Sequence, residues 1–189
     1  MAEKDSAQKD QIELVVKEAQ KGSTEAFGKL YDIYVNQIYR YISFKVSKED
    51  ALDLTETVFL KVWEHLSSYK KGSGTFASWI FRIAHNLVID HYRLQRHHAS
   101  LDDVVLPDEK READPAFLTE NKFTQAMLKK AIAKLNPKYQ QILLLRYITG
   151  LEPEEISKIM KRSPGSLRIL KFRALQSLKK ILEEMGVKY

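Results

Sequence analysis

Apolar residues recur every three or four positions along almost the whole chain, and no stretch shows a convincing two-residue alternation. That spacing predicts an all-α protein. The stripes and their flanking breakers outline helices over about 11–20, 24–46, 48–67 and 75–96, then over about 119–135, 137–149, 153–161 and 164–184. One stretch, TFASWIFRIAHNLVIDHYRLQR (75–96), carries two opposed stripes. Phe76, Ile80, Ile83, Ala84 and Leu87 form an apolar face that must bury. Trp79, Arg82, Asn86, Ile89, Arg93 and Arg96 form the other face. Arginines suit phosphates, an amide suits a base edge and an aromatic plane suits stacking, so this face fits a strand of nucleic acid. The plainer reading makes Trp79 part of the core and the arginines a solvated face.

Between the two sets of helices lies HHASLDDVVLPDEKREADPA (97–116), with six acids against two bases, two prolines and no sustained helical stripe. It predicts an acidic linker over 98–117 joining two small helical domains, 10–97 and 118–185, with enough length for independent movement. Val104, Val105 and Leu106 could instead dock on one domain. The two halves have different patterns, so no internal repeat is expected.

A chain of 189 residues has room for one medium domain or two small ones. Its net charge of +6 makes polyanions the first partner class to consider. No run nears the roughly eighteen apolar residues that span a bilayer, and the opening MAEKDSAQKD lacks a signal-peptide core. No membrane insertion and a cytoplasmic location are expected. The absence of cysteine removes disulfides and thiolate metal sites. His85, Asp90, His91, His97 and His98 lie near one another in sequence, but their spacing does not converge on one helix face. Neither a metal nor a cofactor nor a catalytic residue is expected.

The second half carries a helix-turn-helix pattern. Pro153-Glu154-Glu155-Ile156-Ser157-Lys158-Ile159-Met160 places proline and acids in a first turn, where both are favoured. Lys161-Arg162 makes a turn, Ser163 a good N-cap and Pro164 the first position of a helix that points Leu167, Leu170, Ala174, Leu175 and Leu178 inward. From Lys158 through Lys180 there are eight Lys/Arg and no acid. In the geometry that inserts such a helix into the major groove, Ser163, Gly165, Ser166 and Arg168 meet base edges. Arg162 lies in the turn beside them, and Lys171, Arg173 and Lys179 suit phosphates. A solvated basic hairpin is the competing reading.

Both halves together resemble a bacterial RNA polymerase sigma factor of the sigma-70 family, in the extracytoplasmic-function group. AFGKLYDIYVNQIYRYI (26–42), DALDLTETVFLKVWEHL (50–66) and FASWIFRIAHNLVIDHYR (76–93) resemble sigma region 2, and LNPKYQQILLLRYITGLEPEEISKIMKRSPGSLRILKFRAL (135–175) resembles region 4. The resemblance covers roughly 11–182 and implies a factor that binds core RNA polymerase and directs promoter-specific initiation. Region 2 would melt and read the −10 element, and region 4 would read the −35 element.

By position, the resemblance puts Asp53, Glu56, Thr57 and Leu60 against the polymerase clamp helices. Leu60 and Trp63 would be an apolar anchor beside exposed acids, although some of Phe59, Leu60 and Trp63 must be core. Asn86 stands where the family reads the upstream part of the −10 element. The loop YKKGSGT (69–75) stands where it pockets a flipped base, with Lys70 and Lys71 on phosphates and Tyr69 or Phe76 stacking. Partners implied are core polymerase, promoter DNA and, as a further candidate, an anti-sigma factor. Some positions depart from the pattern: Gln140 for an arginine, Lys161 for a turn glycine, Leu170 for a basic residue and Glu56 for a glutamine. The rival is a stand-alone helix-turn-helix regulator of duplex operators, which would bind DNA tightly as a symmetric dimer without polymerase.

Overall fold

The computed structural model describes the backbone of residues 2–71, 74–99 and 121–187, and the side chains of 9–71, 74–95 and 126–187. The described residues form α1 (Ala2–Gln20), α2 (Thr24–Ser43), α3 (Lys48–His65), α4 (Phe76–Ala99), α5 (Asn121–Ala133), α6 (Pro137–Leu143), α7 (Pro153–Met160) and α8 (Pro164–Glu184). A 3-10 turn (Leu66–Ser68) follows α3, and a π-helical turn (Leu144–Ile148) follows α6. No strand occurs among the described residues.

Side-chain caps start the helices where the composition indicates. Ser23 accepts from the Ala26 amide at 3.2 Å, Ser47 from Asp50 at 3.1 Å, Thr75 from Ser78 at 3.2 Å, Asn136 from Lys138 at 3.0 Å and Ser163 from Ser166 at 3.3 Å. Each satisfies one of the orphan amides of a first turn. The first four helices then bury one stripe each. Ala26, Leu30, Tyr34, Ile38, Tyr41 and Ile42 of α2 pack with Ala51, Val58, Phe59 and Val62 of α3 and with Phe76, Ile80, Phe81, Ala84 and Val88 of α4.

The structure corrects several expected boundaries. α1 starts at Ala2, because the run before its apolar stripe is rich in good helix formers. The predicted helix over 137–149 is two pieces: the π turn adds a residue to the helical register, and Ile142, Leu143, Leu144 and Leu145 are all buried in succession. α4 continues through residues 97–99, so the predicted linker over 98–117 begins late, and its first two positions are helical. Residues 100–117 lie outside the described residues, as do Val104, Val105 and Leu106.

In burial, Ile83 and Leu87 are only half-buried, while Phe81 and Val88 take core places that the predicted α4 stripe did not assign them. Leu175, expected inside, is 39% exposed. The two sets of helices do not stand apart. α4 packs on α7 and α2 on the π turn, and the buried cluster runs from one set into the other.

Candidate functional site

On α3 the outward face holds Leu52, Glu56, Leu60 and Trp63 at four-, four- and three-residue steps, with Asp53 and Thr57 beside them. Leu60 is 64% exposed and Trp63 46%, whereas Phe59 is core. Trp63 is fixed by Phe27 of α2, their ring centroids 4.8 Å apart at 79°. Thr57 donates its hydroxyl to the Asp53 carbonyl at 2.8 Å, leaving both carboxylates of the face, Asp53 and Glu56, turned to solvent. Leu52, half exposed, belongs to this face and was missed. Its spacing of four residues from Glu56 and eight from Leu60 was the available signal. A protein partner with apolar pockets suits such a surface, since the acids would repel a nucleic-acid backbone.

At the start of α4 the aromatic residues are not free. Tyr69 is 5% exposed and donates its hydroxyl to Glu13 at 2.6 Å. Phe76 is buried, and Tyr69, Phe76 and Trp79 form a three-ring cluster with centroids 5.4–5.6 Å apart. In this conformation neither Tyr69 nor Phe76 presents a ring face to a base, and Trp79 is half-buried. Burial and Glu13 push the Tyr69 phenol pKa up, so it stays protonated as a donor. Lys71 pairs with Asp10 at 3.0 Å on the surface.

The loop glycine Gly74 has φ +141°, and a Cβ there would sit 2.6 Å from Ser78 Oγ, so the position requires glycine. Further along α4, Asn86 and Arg93 are exposed, Arg93 lying 3.3 Å from Asp90. Arg82 is half-buried, with its Nε enclosed and without a partner among the described residues. Arg96 continues the helix, and its side chain lies outside the described residues.

In the second set, α7 ends at Lys161 in the left-handed region (φ 51°, ψ 50°), the single positive-φ non-glycine among the described residues. A glycine would take this conformation without the Cβ strain. Gln140 donates to the Ala133 and Leu135 carbonyls at 3.0 and 3.2 Å, closing the C-terminal end of α5. On α8, Ser163, Gly165, Arg168 and Arg173 are exposed, and Ser166 and Lys171 are half-buried. Arg162 reaches Ser166 Oγ at 3.4 Å across the turn. Lys179 lies 3.7 Å from Glu183, so it is partly neutralised on its own helix.

Two small helical domains, an acid-framed apolar helix in the first and a basic helix-turn-helix in the second, agree with the family comparison. Residues 30–98 match Sigma-70 region 2, and residues 125–178 match Sigma-70, region 4. Over 185 residues the chain is 32% identical to the ECF RNA polymerase sigma factor BldN of Streptomyces coelicolor, covering 97% of this chain and 69% of that one. The chain belongs to the extracytoplasmic-function group of sigma-70 factors. The ECF RNA polymerase sigma factor SigM of Bacillus subtilis is 29% identical over 154 residues, 80% of this chain and 91% of that one. The sigma factor RpoE of Bartonella quintana, solved with the anti-sigma factor NepR, shares the fold at TM-score 0.73 and 18% identity, covering 85% of this chain and 98% of that one. The protein is therefore a promoter-directing sigma factor, and the stand-alone regulator is not favoured.

The sigma factor also has a seam between its regions that sequence reasoning missed. Thr75, the N-cap of α4, donates its hydroxyl to the buried carboxylate of Glu155 in α7, whose other oxygen accepts the Glu152 amide at 2.8 Å. Lys158 of α7 approaches the backbone at Gly74. Ten residues along α4, the Gln141 amide lies 2.9 Å from His85 Nε2 and 3.2 Å from Nδ1, with the Tyr41 hydroxyl 3.3 Å from Nδ1. Burial first, and Lys45 second, push the His85 pKa down to about 4, so at neutral pH the ring is uncharged and can accept from the amide. Lys45, itself 8% exposed and lying 5.5 Å over the Tyr41 ring, is pushed down to about 8 by burial. Of the histidines near 85–98, His85 faces α6 and His91 faces Asp50 at 3.6 Å, while the side chains of His97 and His98 lie outside the described residues. No group of three metal-ligating side chains converges among the described residues.

Proposed function

We propose that the two regions of this sigma factor divide the initiation complex by charge. The α3 face with Asp53, Glu56, Thr57 and Leu60, extended by Leu52 and Trp63, docks on core RNA polymerase. Asn86, with Arg82, Arg93, Arg96 and Trp79, reads and holds the −10 strand. Tyr69, Lys70 and Lys71 belong to the loop that receives an extruded base once the Tyr69–Phe76–Trp79 cluster loosens. Arg162, Ser163, Gly165, Ser166, Arg168, Lys171 and Arg173 form the −35 contact surface. The domains that do this span 10–97 and 118–185. The protein acts in the cytoplasm without catalysis of its own, lending binding free energy to polymerase. An anti-sigma protein is a further partner, as the complex reported for the Bartonella quintana protein suggests.

What supports the division best is the exposure of Leu60 and Trp63 beside Asp53 and Glu56, on a helix whose opposite face is buried. Charge reversal of Asp53 together with Glu56 should weaken binding to core polymerase while both regions stay folded. Unchanged co-purification with polymerase removes these two residues from the interface.

A further inference from the structure

Helix α8 leaves two large apolar side chains in the open. Ile169 is 56% exposed and Phe172 is 62% exposed. Single exposed apolar residues are ordinary, but these two adjoin on one line of the helix. Gly165, Ile169, Phe172 and Gln176 follow one another at steps of four, three and four, all on the side opposite the buried Leu167 and Ala174. The line is bordered by cations: Arg168 and Lys179 on one side, Arg173 and Lys180 on the other. No acid occurs from Pro164 through Leu182. At Gly165 nothing lies within 4 Å of where a Cβ would be, so the helix can come close to a surface there. An apolar ridge between two cationic rails matches a groove with phosphates on both walls and an apolar group on its floor. In the major groove of duplex DNA the apolar group is the C5-methyl of thymine.

We infer that Ile169 and Phe172 are specificity-determining residues that read thymine methyl groups in the upstream promoter element. The inference rests on region 4 entering the major groove by α8. Three residues of helix rise about 4.5 Å and successive base pairs about 3.4 Å, so the two side chains address neighbouring base pairs. Arg168, on the flank of the ridge, then reaches a purine edge or the near phosphate, and Arg173 the opposite strand. A protein partner is the weaker fit, because the cationic rails would need acids on both sides of one apolar strip.

The test uses holoenzyme reconstituted from the full chain and core polymerase, on promoters recovered by transcribing a random-sequence library. Two neighbouring positions of the upstream element should be enriched in A·T pairs. Replacing each thymine there by deoxyuridine removes only the methyl, and should lower open-complex formation by roughly two- to fourfold at each contacted position. Ile169→Ala and Phe172→Ala should show the same loss on thymine templates and no further loss on deoxyuridine templates. Both side chains are exposed, so the variants should fold, and the deoxyuridine series on the unaltered protein needs no variant. Indifference of the unaltered protein to every deoxyuridine overturns the inference, as does sensitivity that persists in both variants. Variants that transcribe like the parent on all templates also overturn it and leave the ridge to a protein. If scrambling the whole upstream element changes nothing and Arg168→Ala is silent, the region 4 reading itself has failed.

Discussion

Helices α3 and α8 each turn large apolar side chains outward from a well-buried opposite face, and the charges around them are of opposite sign. Leu52, Leu60 and Trp63 stand among Asp53, Glu56 and Glu64, whereas Ile169 and Phe172 stand among Arg168, Arg173, Lys179 and Lys180. The hydrophobic effect is indifferent to which partner covers these surfaces. The frame of charge makes the choice, because a phosphate wall rejects carboxylates and attracts guanidinium groups. On the proposed reading, exposed apolar area marks both as contact surfaces, and the sign of the surrounding charge separates a protein partner from nucleic acid.

The comparison breaks first on the α3 side. Leu60→Ala with Trp63→Ala should reduce core-polymerase affinity by at least about 100-fold, the loss expected from a central apolar anchor. Phe172→Ala should leave that affinity unchanged. A fluorescence titration of labelled protein with core enzyme measures both, and equal losses in the two variants would erase the distinction between the faces.

Next in size is the seam that joins the regions. The folded protein holds His85 at about 4 against an ordinary 6.5, so between those values the unfolded chain binds a proton that the folded one does not. The contribution is full above about pH 6.5 and is lost as pH falls toward 4, up to roughly 2–3 kcal/mol. Protonation also turns both ring nitrogens into donors, against the Gln141 amide. Thermal melts from pH 7 to 4 should steepen in the parent and flatten in His85→Gln. Identical profiles would show that the ring titrates freely.

A smaller effect isolates region 4. Lys161→Gly relieves the left-handed strain at the end of α7, offset in part by the entropy of glycine in the unfolded chain, and should stabilise by about 0.5–1 kcal/mol. Denaturant melts would detect it, and destabilisation would mean that the Lys161 side chain contributes more than its backbone costs. The smallest effect sharpens the α8 frame: Arg173→Ala should lower the salt slope of holoenzyme binding to duplex promoter by about one, with base preference unchanged. Lys179→Ala should change it less, since Glu183 already lies beside Lys179.

Periodicity and capping chemistry are local, so the chain order alone discloses the eight helices, the Ser163 cap and the helix-turn-helix, while the left-handed strain at Lys161 emerges only from the backbone. The cations of α8 share a face by helical spacing alone, without reference to the rest of the fold, whereas Asp53, Glu56 and Leu60 were named by the family resemblance, and the structure shows only that they are exposed together. Which stripe is buried, and by what, depends on neighbours distant in sequence. Tyr69 reads as an exposed stacking residue until Glu13, 56 positions away, claims its hydroxyl. Leu175 reads as an inward position of α8 until packing leaves it 39% exposed. The acidic stretch between the domains suggests independent bodies, and only the meeting of Thr75 with Glu155 and of His85 with Gln141 reveals the seam. Such contacts join residues 80 and 56 positions apart, and no periodic pattern encodes them, because complementary packing is a property of two surfaces together.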